Sequence, residues 1–151
     1  MFLTIQELKT IARQEHIQVI AGADDLIIQE CVNSAITEVR SRLTPSSKRE
    51  AYDGRTRYDV DALFAQTGEE RNPLILAYTK LVAMWHLIVR GNAGVQYETI
   101  EARYDRAIEY LKDLASGDAT DLTLPILPEP TEAESINKTF RMGSRPKFNH
   151  E

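Results

Sequence analysis

From Asn72 to Gly91 the chain reads NPLILAYTKLVAMWHLIVRG, and no other stretch limits the fold so strongly. Asn72 can cap a helix whose first position is Pro73, where the missing N–H costs nothing because that donor has no intrahelical partner. Leu74, Tyr78, Leu81, Trp85 and Ile88 recur at spacings of three and four. Ile75, Val82 and Val89 widen this row, with Met84 and Leu87 beyond it. A helix this apolar is expected to be central and touched on more than one side, with Gly91 ending it. Its apolar run, Leu74 to Val89, is about 16 residues long and carries Lys80 and His86, which reads as too short and too polar to span a bilayer.

Two further segments keep the same period. Asp24 can cap a helix through IIQECVNSAITEVRSRL, whose apolar and small residues at 28, 32, 35, 36, 39 and 43 share a face. That helix is expected to stop near Leu43, because Pro45 biases Thr44 away from helical geometry. Tyr97, Ile100, Tyr104, Ile108 and Leu111 repeat at three and four, Ala107 and Leu114 extend the face, and Gly117 follows the last apolar position. A short helix of about ten residues opens the chain, where Thr4 and Glu7 form a capping box ahead of Leu8 and Ile11.

The fold class that follows is all-α: a small bundle of about four helices, one short and three long. The long helices are expected to pack antiparallel or nearly so, with the short one across an end. A long loop, residues 44 to 72, joins the second helix to the third. It holds the turn signal Asp53-Gly54 between Tyr52 and Tyr58, a weak hairpin signal, and a turn or two of helix in DVDALFAQTG. Connections of this length are uncommon unless they do something.

Beyond Gly117 the pattern changes. Four of the six prolines, Pro125, Pro128, Pro130 and Pro146, lie here. The first half of this stretch is acidic, and the second half carries Lys138, Arg141, Arg145 and Lys147. The domain reading is a helical body over residues 1–118 and a flexible, irregular C-terminal arm over 119–151. Removing everything after Gly117 is expected to leave the fold intact.

Little in the sequence points to chemistry. His16, His86 and His150 have no companion ligands at metal-binding spacing. GNAG at 91–94 lacks the ending of a phosphate loop, and Asp53, Asp59 and Asp61 lack the register of a calcium loop. No nucleophile stands with a base. The expectation is a protein that is not an enzyme, with no cofactor and no metal. A net charge of -5 disfavours specific nucleic-acid binding. Cys31 is alone, cannot form an internal disulfide, and reads as a small buried hydrophobe. The opening MFLTIQELKT does not read as a signal peptide, and a cytoplasmic location without membrane contact is expected.

The protein-contact candidates come from the loop and the arm. In the loop they are Arg49, Tyr52, Arg55, Arg57 and Tyr58. In the arm they are Leu124, Ile126, Leu127, Phe140, Arg141 and Phe148. The arm carries too many apolar side chains for a purely solubilising end.

Four stretches together resemble a known family, the gp36-like proteins of Mu-type phages and prophages, within the small helical head–tail connector or head-completion proteins of tailed phages. They are FLTIQELKTIARQEHIQVIAG, IIQECVNSAITEVRSRL with Ala35, Ile36, Val39 and Leu43, NPLILAYTKLVAMWHLI opened by Pro73 and Leu74, and RYDRAIEYLKDLASGD. The last is the most similar, through Arg103, Tyr104, Ala107, Leu111, Leu114, Ala115 and Gly117. The resemblance covers residues 1 to about 120. It departs in the longer 44–72 connection and in the arm. It implies a structural, non-catalytic subunit that self-associates in a ring between the portal protein and a tail-completion protein. It also implies a bacterial host cytoplasm, then the virion head–tail junction, as the place of action. The alternative from the residues alone is a bacterial helical interaction module whose C-terminal arm binds one soluble protein.

Overall fold

The computed structural model describes residues 1–12, 14–22, 24–49, 54–91 and 97–128, with side chains left aside at 14–16, 19 and 97. Within them the fold is an all-α bundle. Its helices are α1 (Ile5–Leu8), α2 (Gln14–Ala21), α3 (Asp25–Ser47), α4 (Val60–Ala65), α5 (Pro73–Gly91) and α6 (Tyr97–Ser116), with a short 3-10 turn at Gly68–Glu70.

The three long helices are those that the periodicity marks. Asp24 caps α3 by accepting from Leu26 N–H at 2.9 Å. Asn72 caps α5 by accepting from Leu74 and Ile75 N–H, both at 3.0 Å. Gly117 ends α6 in the left-handed region, with φ 88°. Cross-helix pairs give the directions. Glu30 meets Arg90 and Glu38 meets His86, so α3 and α5 are antiparallel. Tyr78 meets Tyr110 and Trp85 meets Tyr104, so α5 and α6 are antiparallel as well. Arg49 reaches Leu114 while Tyr104 reaches Glu38, so α3 and α6 run the same way.

The core lies where these three meet: Val32, Ala35, Val39 and Leu43 from α3, Ile75, Val82, Ala83 and Leu87 from α5, and Ala107, Leu111 and Leu114 from α6 are buried. Cys31 is buried beside them. α5 is 19 residues long, and a window of it reaches a mean hydropathy of 1.3, so by length and composition it could cross a membrane. The expectation that the run is too short is corrected to that extent. In this fold α5 is a bundle helix packed on α3 and α6.

Three further expectations are corrected. The opening helix is four residues, not about ten, and a separate α2 follows. Residues 2–12 and 14–21 do not cross an end of the bundle but run along α5, packing on α3 as well. Arg71, ahead of α5, bonds Glu7; Lys80 bonds Thr10; and Gly91 lies against Ile20. Finally, α3 passes through Pro45 to Ser47. Pro45 gives up one N–H, but this last turn is held in place: Ser46 is buried and bonds Leu43 O within the helix at 2.7 Å, and Ser47 Oγ reaches outside it to donate to Tyr58 O at 2.7 Å. Tertiary contacts outweigh the local bias.

Candidate interaction surface

The loop and the start of the arm meet at one end of the bundle. Tyr58 and Ile126 form an isolated antiparallel bridge, in which Asp59 N–H donates to Pro125 O and Leu127 N–H to Arg57 O, each at 2.8 Å. Tyr58 Oη accepts from Asp121 N–H at 2.8 Å. Asn72, while capping α5, also donates through Nδ2 to Thr123 Oγ1 at 2.7 Å and to Asp121 at 3.3 Å. The chain expected to leave the body at 119 therefore stays on it as far as Leu127. Leu124 is buried, 3 % exposed, and Tyr58 is 1 % exposed. Burying each such side chain contributes about 1.5–3 kcal/mol.

The loop arginines are also taken up. Arg49 Nη2 donates to Leu114 O at 2.8 Å and to Ala115 O, and its Nη1 donates to Thr56 O at 3.0 Å. Arg55 donates to Ser116 O. The last carbonyls of α6 lack intrahelical donors and carry the negative end of the helix dipole, so two guanidinium groups there satisfy both needs. Arg57 Nη2 lies 3.4 Å from Ser47 O, and its Nε is buried without a hydrogen-bond partner.

The contact candidates thus divide. Tyr58 and Leu124 are core residues and cannot meet a partner without the body opening, which corrects their assignment. Arg49 and Arg57 are half-buried and bonded to backbone, and Arg55, though exposed, holds the end of α6. Ile126 remains open to solvent at 47 %, and Leu127 is half-buried. Tyr52, Phe140, Arg141 and Phe148 lie outside the described residues. The hairpin expected between Tyr52 and Tyr58 lies in part outside the described residues; on the described side the backbone of Tyr58 pairs with the arm.

A second cluster ties the long helices at mid-height. Glu38 on α3 accepts from Arg42 Nη2 at 2.6 Å, meets His86 Nε2 of α5 at 2.9 Å, and accepts from Tyr104 Oη of α6 at 2.9 Å. Burial pushes its carboxyl up, but the hydrogen bonds from Arg42, Tyr104 and His86 and the Arg42 charge outweigh it and hold the group below its ordinary value. Among the described residues no three His, Cys, Asp or Glu side chains converge as metal ligands.

The surface that sequence reasoning missed is the outer face of α5. Leu74 is 37 % exposed, Val89 is 53 % exposed and Ala77 is exposed. Tyr78, Leu81 and Trp85, between them, are half-buried. These positions fall in one sector of the helix at 3.6 residues per turn, together with Ile88, which is buried, and that sector carries no charge. The charged groups of α5 turn elsewhere: Lys80 Nζ bonds Thr10 Oγ1 at 3.0 Å, and Arg90 pairs with Glu30 at 2.6 Å. Surface helices normally show the reverse, polar outward and apolar inward. The signal was available, since the α5 run has apolar residues on all sides and a three-helix bundle cannot cover all of them.

Set against known proteins, the chain matches no family model, no curated protein and no solved structure.

Proposed function

We propose that this protein is a structural assembly subunit that acts by binding other protein chains, of the head–tail connector kind that its helices resemble. The observation that carries the reading is the uncharged, partly exposed face of α5, with two aromatic rings at its centre. An apolar surface of this sort is a mark of a protein-binding site. The resemblance narrows the class of partner to a portal protein and a tail-completion protein, with neighbouring copies in a ring. The exposed Leu122 and Ile126 on the arm supply a second apolar contact region at the end of the bundle.

The test is amide NMR on the full chain, alone and with the portal protein encoded in the same genome. Broadening of the α5 resonances, or of those at 121–127, on adding portal is the expected result. Unchanged spectra at saturating portal would remove the connector reading.

A further inference from the structure

Three guanidinium groups from one stretch of loop, those of Arg49, Arg55 and Arg57, gather where α3 and α6 end. Arg49 Nη1 donates to Thr56 O at 3.0 Å, which sets its head against the peptide that leads into Arg57. A Cβ added at Gly117 would lie 2.5 Å from Arg55 Cδ and 2.8 Å from Arg49 Nη1, so those two side chains are neighbours as well. Like charges brought together cost free energy unless acceptors offset it. Around Arg49 and Arg55 the acceptors are present, in the carbonyls of Leu114, Ala115 and Ser116.

Arg57 is left short of them. A guanidinium carries five N–H donors and no acceptor. The one hydrogen bond of Arg57's side chain among the described residues runs from Nη2 to Ser47 O at 3.4 Å, long for such a bond. Its Nε is sealed from water and has no partner. A buried donor left unmade on a charged group is costly, and in a folded chain it points to an acceptor that completes it. Nε and Nη2 form the fork that matches two oxygens of a carboxylate or a phosphate. The backbone beneath is fixed: Arg57 O accepts from Leu127 N–H at 2.8 Å, and two residues on Asp59 N–H donates to Pro125 O at 2.8 Å.

We propose that Arg57, with Arg49 and Arg55 beside it, is a binding site for an oxyanion, a carboxylate or phosphate group seated on the Nε–Nη2 edge. Because Nε is covered, the side chain swings outward to receive the anion, and the hydrogen bond it gives up is only the long one to Ser47 O. The site goes beyond the connector reading and does not rest on it.

The experiment is NMR of the arginine Nε–H groups in the full chain, titrated with sodium phosphate and separately with sodium acetate, ionic strength being held with sodium chloride. Loss of a signal in Arg57→Lys identifies the Arg57 resonance. That resonance is expected to shift saturably with at least one of the two anions. Response to acetate alone assigns a carboxylate ligand, and response to phosphate alone a phosphorylated one. The same anion is expected to raise the melting temperature above that of the chloride control. In Arg57→Gln the affinity is expected to fall at least about tenfold, the effect of losing a charged hydrogen-bonding group. Should that variant fail to fold, the wild-type titrations and Arg57→Lys decide. An Arg57 resonance that moves no further in phosphate or acetate than in chloride overturns the proposal and leaves Arg57 as an imperfect cap of α3. Saturable binding that survives Arg57→Gln undiminished places the anion elsewhere and also overturns it.

Discussion

Arg71 and Glu7 meet fork to fork, with Nη1 3.0 Å from Oε2 and Nη2 2.5 Å from Oε1. The same guanidinium donates to Phe2 O at 2.6 Å and to Gly68 O at 2.8 Å, so one side chain ties the N-terminal segment to the entry of α5. Hydrogen bonds from Arg71, against some opposing burial, pull the Glu7 carboxyl down from 4.5 to about 2. A carboxyl depressed by folding adds stability above its unfolded value, and that stability fades as pH falls. Between pH 4.5 and about 2 the wild type should lose stability at this site. Arg71→Ala is expected to cost about 2 kcal/mol at neutral pH and to flatten that part of the pH profile, both read from urea midpoints. An unchanged slope in the variant would count against the assignment.

Arg49 caps a helix to which it does not belong. Arg49→Ala should destabilise by about 1–2 kcal/mol and raise amide exchange around Gly117. Arg49→Lys should recover only part of this, because an ammonium lacks the fork that reaches carbonyls on both sides. Exchange rates that stay at wild-type values in Arg49→Ala would show that the cap is idle.

At Gly117 two constraints coincide. Its φ of 88° disfavours a side chain, and an added Cβ would lie 2.5 Å from Arg55 Cδ and 2.8 Å from Arg49 Nη1. Gly117→Ala is expected to cost about 1–2 kcal/mol, measured by thermal melting.

Leu124 decides whether the start of the arm belongs to the body. Leu124→Ala should cost about 2–5 kcal/mol, the range for emptying a buried leucine site. A chain cut after Gly117 should melt well below the full chain, the opposite of what the composition of the arm suggests. Equal melting temperatures would mean that the 121–127 contacts add nothing.

Glu38 serves three helices at once. Glu38→Ala leaves Arg42, His86 and Tyr104 without their shared acceptor and should cost about 2–3 kcal/mol. Since Trp85 stacks on Tyr104 and is the sole tryptophan, the same change should shift its emission. Glu38→Gln, which keeps an acceptor oxygen, should do less on both measures. Acid should act in the same direction: with its folded value lowered, Glu38 stabilises the bundle above the ordinary carboxyl range and less as pH falls below it.

The long helices were legible because each repeats its period over several turns and carries a cap that can be named: Asp24, Asn72 or Gly117. α2 and α4 are short, and helices of that length are stabilised by what they pack on rather than by their own residues. Pro45 misled because its local bias is real, while the Ser47–Tyr58 bond that overrides it joins separate parts of the chain. The candidate surface was least legible for the same reason. Arg49 and Arg55 look like solvated loop charges until the end of α6 arrives beside them, and Arg57 does so until it meets Ser47 at the end of α3. Tyr58 and Leu124 look like separate loop and arm residues until both are buried in one core. The α5 face was within reach, since its pattern is written in the sequence, but which side stays open depends on where α3 and α6 dock.

The Tyr58–Ile126 bridge has a bearing on how the protein is made. A ribosome delivers α3 and the 54–59 segment long before residues 121–127 exist, so their binding site must wait unfilled. Until then Tyr58 lacks the Asp121 amide, and Asn72 caps α5 without its second set of partners. Final closure thus joins ends far apart in the order of synthesis, a step that slows folding and lengthens the exposure of half-made chains. A nascent chain stalled before Leu124 should be the species most readily captured by chaperones.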